Sequence, residues 1–512
     1  MNFNELVQIV GLVRPVKVKQ LDVLSKGHRL EGHMGVLYEG LLAERWRSEE
    51  EMVAWFQEHR AVSKDNLRQI MRKLFKKLSN TALFLDSNEP SFTDFQRAYY
   101  NCYRELAIFK VLLGRNVTHV AERMGVRLLR RAIRFEFVDI VIMVARELSL
   151  YYGTLKNNPR EALKYSDLVS KYLDVFHAEI KAEHCYQEVV HLARSKASHQ
   201  AIAELAARYA AELEPLVEQY DSYKLYLYAF NLFLLRHELQ SDYEQMLHQA
   251  TRAVELFLQK RHLATNTAIF SLRFRMLVAQ IQLGRYDDGK QTAAHCMELV
   301  PEGISNWFLS LINYIILCLH SGDYGRAKDL FERAVSHSMF NRQDERIVEQ
   351  FKVLEATLHY LHAIGQLSEP PAPGGRKRNF RLSRFLNDVP IFSKDKRGTN
   401  VLILILQILF LLQKRDYELV VNRLEALRVY SHRYLRKNET FRSNCFIRML
   451  NTLPSARFHR SQAERKARPL LKKLQEIPLS KSPLGADIEV VPYERLWQFV
   501  LQSLSERRTY VY

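Results

Sequence analysis

Two stretches of this chain, 38 residues apart, repeat one turn. The first reads Leu283-Gly284-Arg285-Tyr286-Asp287-Asp288-Gly289 and leads into a helical pattern at residues 290–299. The second reads Ser321-Gly322-Asp323-Tyr324-Gly325-Arg326-Ala327 and leads into one at 328–337. A tight helical hairpin needs a residue that accepts positive φ to end its first helix, and Gly284 and Gly322 supply it. It needs an aromatic plug under the turn, placed here at Tyr286 and Tyr324. It also needs a small residue where the helices cross, placed at Gly289 and Ala327. Phe331 and Ala334 then continue one face, four and seven residues beyond Ala327. Self-similarity at a fixed step is the signature of a repeat stack, in which each unit buries its apolar face on its neighbours. Such a stack is a shape rather than an activity, so the pattern names no substrate.

The run Gly322, Tyr324, Ala327, Phe331, Ala334 resembles the tetratricopeptide repeat, whose usual unit is about 34 residues. The copy at Gly284 has Ala293 and Cys296 at the last two places. Degenerate copies without the glycine follow Asp242-Tyr243 (Met246, Ala250, Ala253) and Asp416-Tyr417 (Val420, Leu424, Leu427). The resemblance covers roughly a third of the chain, with the family-like units near 240–340. It implies a right-handed stack of helix pairs with a concave groove that binds a protein or peptide, and no catalysis. Asn313 falls where peptide-gripping members of the family place an Asn.

With only 18 Gly and 14 Pro in 512 residues, breakers are scarce and an all-α chain is expected. The five cysteines are scattered, with no Cys-x-x-Cys pair, which suits reduced, buried thiols in a cytoplasmic protein. Residues 1–10 carry Glu5 and no basic region, unlike a signal peptide. The longest apolar run, 401–412, is shorter than the roughly 20 residues a bilayer requires. It reads as a helix buried on all sides.

Four regions follow. Residues 1–90 form an N-terminal helical region, beginning with a short apolar helix near 3–12 and including helices near 35–46, 48–58 and 64–80. Ser48 with Glu51 makes a capping box for the second of these, and Ser63 caps the third. The third carries Lys64, Arg68, Arg72 and Lys76 at i+4 spacing, opposite an apolar face. A short helix, a turn and a basic helix fit a helix-turn-helix reader of nucleic acid. The preferred reading is the solvated face of a bundle helix, since the turn at 60–62 lacks a glycine and the second helix is long. Residues 91–365 continue as helical hairpins, with breaks expected between 159–173 and 174–196 and at Asn157-Asn158-Pro159. Residues 366–398 are a basic Pro/Gly-rich loop, and 399–512 a basic helical region ending in a capping helix from Tyr493.

The net charge is +18, from 75 Lys and Arg against 57 Asp and Glu. Residues 376–481 hold 25 basic against 8 acidic residues, so nearly all the excess sits in about a fifth of the chain. Arg376, Lys377, Arg378, Arg381, Arg384, Lys394, Lys396, Arg397, Arg433, Arg436 and Lys437 are the candidates for contact with an acidic partner or nucleic acid. The interleaved Phe380, Phe385, Phe392, Tyr430, Tyr434, Phe441 and Phe458 suit base stacking, but their helical spacing favours a core role.

No catalytic, metal or cofactor motif stands out. Gly284 to Lys290 has the spacing of a phosphate loop, but Gln291 replaces the magnesium-holding hydroxyl and no strand precedes it. The expectation is a non-enzymatic scaffold of tetratricopeptide type, without cofactor or metal. It would bind a protein or peptide partner in its groove and carry a basic surface for an acidic one. The alternative is a nucleic-acid-binding or transcription-regulatory protein working through the basic N-terminal helix, the basic C-terminal region, or both.

Overall fold

The computed structural model describes residues 30–43, 45–46, 48–82, 92–195, 198–372, 380–387, 399–435, 441–481 and 489–504. The expected helix at 3–12 lies outside them. So do most of the basic loop and Arg376, Lys377, Arg378, Lys394, Lys396, Arg397, Arg436 and Lys437. Among the described residues the chain is all-helical, with no strand. No described helix is long and apolar enough to cross a membrane. The chain divides into two compact units, Met1–Phe176 and His177–Tyr512, and the division falls inside a helix.

In the first unit, α1 (Gly32–Leu42) and α2 (Glu49–Arg60) each pack on α3 (Lys64–Ala82). Their core is Leu37, Met52, Phe56, Val62, Leu67 and Leu74. Ser48 accepts the backbone N–H of Glu51, the first half of the expected capping box, and Ser63 accepts that of Asn66, so both serines cap their helices. A second core joins α4 (Asp94–Gly114), α5 (Thr118–Arg134), α6 (Val138–Leu150) and the start of α7 (Pro159–Arg194). Helix α6 ends in a π-helical turn, Tyr151–Leu155. Asn158 then caps α7 through the N–H of Glu161, with Pro159 at the first helical position. The break expected near 173 does not exist; α7 runs through it, since the stretch holds neither Gly nor Pro to stop a helix.

The second unit is a succession of helices: α8 (His199–Gln219), α9 (Tyr223–Leu239), α10 (Tyr243–Gln259), α11 (Asn266–Gln282), α12 (Tyr286–Leu299), α13 (Ser305–Ser321), α14 (Tyr324–Ser336) and α15 (Glu345–Ala363). Each packs on the next, and the first helices of successive hairpins also touch, α9 on α11, α11 on α13, α13 on α15. The short α16 (Leu382–Asn387) precedes α17 (Thr399–Gln413), α18 (Tyr417–Tyr434), α19 (Phe441–Leu450), α20 (Arg460–Glu476) and α21 (Tyr493–Ser503). Every residue of α17 from Asn400 to Leu412 is buried, as the apolar run predicts. All five cysteines are free and buried, and burial pushes Cys296 and Cys318 up to about 12.

One turn geometry recurs throughout. A left-handed residue ends a helix, and the N–H of the next residue reaches the carbonyl five positions back. This occurs after Asn116, Glu136, Ser241, Gly284, Gly322, Gly365 and Arg415, at 2.9–3.1 Å wherever it occurs. In unit 2 it restarts a helix at once at Tyr243, Tyr286, Tyr324 and Tyr417. The second helices of the two glycine hairpins therefore begin at Tyr286 and Tyr324, four residues earlier than the sequence reading placed them. The turn proper is three residues in the first hairpin (283–285) and two in the second (322–323), with Arg285 and Asp323 as the N-caps. The degenerate copies at Asp242 and Asp416 fold the same way. Ser241 and Arg415 adopt the left-handed conformation that glycine takes elsewhere, at a cost of about 1–2 kcal/mol each.

Candidate functional site

The repeat-defining residues are where a hairpin needs them. Tyr324, Ala327, Phe331 and Ala334 are buried, as are Gly289, Ala293 and Cys296, and Tyr286 is half-buried. A Cβ on Gly289 would meet Leu317 Cδ1 at 2.3 Å, so the small residue admits a leucine of the following helix. The same glycine spacing holds no phosphate loop: Tyr286 starts a helix and Lys290 pairs with Asp323 at 3.5 Å. Asn313 donates its side-chain N–H to the Leu309 carbonyl of its own helix, at 3.0 Å.

Counted back from the left-handed turn residues, the first helices α9, α11, α13 and α15 carry half-buried side chains at matching positions, a stripe interrupted by the buried Asn231, Val278 and Ile312 and by the exposed Lys352. Tyr228, Ser271 and Leu309 stand thirteen positions upstream, Phe274 and Glu355 ten, and Leu235, Ile316 and His359 six. Steps of three and four keep these on one helical face. On α15 the stripe is occupied by the chain itself. Phe380 stacks on His359 with ring centroids 4.3 Å apart, and the following α16 is tied down by Gln407 donating to the Phe385 carbonyl at 2.7 Å.

The basic residues fall into two exposed sets. On α3, Lys64, Arg68, Arg72, Lys73 and Lys76 are all exposed, as the sequence pattern predicts. In the C-terminal half, Arg381 and Arg384 are exposed, and nothing is described of the Arg433 side chain. The sequence reading passed over α20, where Arg465, Lys466, Arg468, Lys472 and Lys473 are exposed around a buried seam of Ala463, Ala467 and Leu474. The cue was available in the spacing of 465, 468 and 472. The described aromatics of the region are core. Phe458 is buried and stacks on Tyr417 at 4.3 Å, while Phe380, Phe385, Tyr430 and Phe441 pack on the main core. Phe392 lies outside the described residues.

A buried polar cluster surrounds Arg442, which no sequence motif marks. Arg442 on α19 is fully buried and holds Glu489 through two bonds, Nε to Oε1 at 2.5 Å and Nη2 to Oε2 at 3.0 Å. It also donates to Glu494 at 2.8 Å and to the carbonyls of Leu474 and Ile477. Glu489 accepts the backbone N–H of Tyr493, whose hydroxyl meets Ser443. The Nε2–H of His320 donates to the Glu489 carbonyl at 2.5 Å, and Arg495 donates to the Tyr324 hydroxyl at 3.3 Å. The C-terminal segment is thus fastened to the turn of the best repeat. Burial lowers His320 to about 4, helped by Arg495 and Arg442, so it is neutral. Burial raises the Glu489 carboxyl although Arg442 pulls it down; burial lowers Arg442 too, but both carboxylates outweigh it and hold it well above its ordinary value. The sequence cue was an acid inside an apolar run, Ile488-Glu489-Val490-Val491.

A smaller network closes the π-helical turn of unit 1. Glu122 accepts the hydroxyls of Tyr152 at 2.6 Å and Tyr151 at 3.1 Å and pairs with Lys156 at 3.3 Å. Burial opposes its charge, but these donors bring its carboxyl below the usual range. The carboxylates of both clusters are met by neighbouring donors, while His320 Nδ1 is buried without a partner. Among the described residues no group of three His, Cys, Asp or Glu is arranged to hold a metal. No protein-family model, no curated protein and no solved structure matches this chain.

Proposed function

We propose that this chain is a non-catalytic scaffold, a right-handed tetratricopeptide-like α-solenoid that binds a protein or peptide segment along the inner face of its hairpins. The observation that carries the reading is the half-buried stripe on the stacked first helices, with a segment of the chain itself lying on its last member through Phe380. Tyr228, Phe274, Leu309 and Ile316 give the free part of that stripe an aromatic and aliphatic character, suited to apolar side chains of a partner. The basic excess of 376–481, exposed on α20, would favour an acidic partner and speed its encounter. Buried free thiols fit a reducing compartment such as the cytoplasm. A nucleic-acid-binding role is the second reading, and what favours it is the exposed ladder on α3. The scaffold reading is tested by placing charge on the stripe: a Phe274→Arg/Ile316→Arg chain should keep its helical content and lose its protein partner.

A further inference from the structure

We infer that the exposed face of α3 formed by Lys64, Arg68, Arg72 and Lys76 docks on the phosphate backbone of a nucleic-acid duplex. This site is independent of the protein-binding stripe. The four cations follow one another at steps of four residues, a ladder that winds about 120° around the exposed side of the helix and spans about 18 Å at 1.5 Å per residue. The ladder is held rigidly, because the opposite face of α3 supplies Leu67 and Leu74 to a core with Leu37, Met52 and Phe56. Charge in this three-helix cluster is sorted by element. Helix α2 opens with Glu49, Glu50 and Glu51, whereas the only acid on α3 is Asp65, which pairs with Arg68 at 3.7 Å. Among the described residues Lys64, Arg72, Lys73 and Lys76 make no ion pair.

Two further observations point to a duplex. The link between α2 and α3 is three residues, 61–63, and Ala61 takes the left-handed conformation at φ 49°. The sequence reading marked the lack of glycine in this turn against a helix-turn-helix; the backbone adopts the tight turn without one. Phe75 is 74 % exposed on the same face, three residues beyond Arg72, as an apolar contact placed among cations. An anionic membrane is a poorer fit, since an interfacial helix must offer its apolar face and that of α3 is buried. Single strands call for several stacking rings, and this face has one.

The test is fluorescence anisotropy of the full chain with duplex DNA of arbitrary sequence, between about 50 and 200 mM salt. Wild type should bind with a log–log salt slope of about −3 to −4, as four phosphate contacts require. The Lys64→Ala/Arg68→Ala/Arg72→Ala/Lys76→Ala chain should bind at least about tenfold more weakly, with the slope falling towards zero. An Arg465→Ala/Lys466→Ala/Arg468→Ala chain should bind like wild type. All seven positions are exposed, and unchanged circular dichroism confirms the fold of each variant. Absence of duplex binding by wild type at the lower salt overturns the proposal. So does undiminished binding by the α3 variant, loss confined to the α20 variant, or binding only to phosphatidylserine vesicles.

Discussion

The hairpins at 286–336 and the C-terminal segment at 489–504 meet at Gly322, Tyr324 and His320, yet they are held by opposite means. The hairpins depend on apolar packing: Ala327, Phe331, Ala334 and Leu317 interlock, and one glycine admits a neighbouring leucine. The segment depends on a buried cation with two carboxylates, three backbone carbonyls and a neutral histidine around it. Apolar repeats stack indefinitely, because each exposes the same face to the next. A buried ion cluster has a fixed stoichiometry and fits the segment to the hairpin in one register, a specificity role that such groups play in other settings.

The contrast is broken most directly at Arg442. Arg442→Met leaves Glu489 buried without its partner and should cost about 3–5 kcal/mol by chemical denaturation. Arg428→Met on the neighbouring α18 removes an exposed pair with Glu425 and should cost less than about 1 kcal/mol. Equal costs would mean that the buried cluster holds nothing.

A smaller effect separates the two regions by pH. His320 has its folded value lowered to about 4 from 6.5, so its contribution to stability is complete above pH 6.5 and is lost as pH falls towards 4. Glu489, raised by burial, works in the other direction, which makes wild type alone a poor readout. Against His320→Gln, wild type should lose about 3 kcal/mol over that window. Parallel pH profiles for the two chains would refute the assignment of a neutral, buried His320.

The smallest effect compares turns that share one backbone. Gly322→Ala places a side chain at φ 87° and should destabilise by about 1–2 kcal/mol. Arg415→Gly relieves the same conformation at φ 59° and should stabilise by up to about 1 kcal/mol, the gain being trimmed by the freer unfolded chain. Opposite signs support a common turn; a loss in both would show that Arg415 has a role of its own.

Legibility in the sequence followed the same division. Scarce breakers and long periodic runs gave the all-helical class, the apolar run gave the buried helix at 401–412, and short-range spacing gave the caps at Ser48 and Ser63 and the helix start at Pro159, because each is decided within one or two turns of chain. The turns at Ser241 and Arg415 were read as degenerate because glycine is the usual sign of a left-handed residue, whereas here an Asp N-cap and a following Tyr accompany the same backbone. The Arg442 cluster was hidden for a different reason. Its members, His320, Arg442, Glu489 and Glu494, come together across 174 residues of chain, and no local spacing announces them. The basic face of α20 lies inside the charge excess of 376–481, but a sum along the chain does not show which cations share one exposed side of a helix.

The most direct measurement is a two-salt pull-down from native lysate with nuclease, comparing the wild-type chain with Phe274→Arg/Ile316→Arg. The scaffold reading predicts nuclease-resistant protein partners on wild type that are absent from a variant of unchanged helicity. The same partners on both chains, or none on either, would contradict a binding face on the stacked first helices.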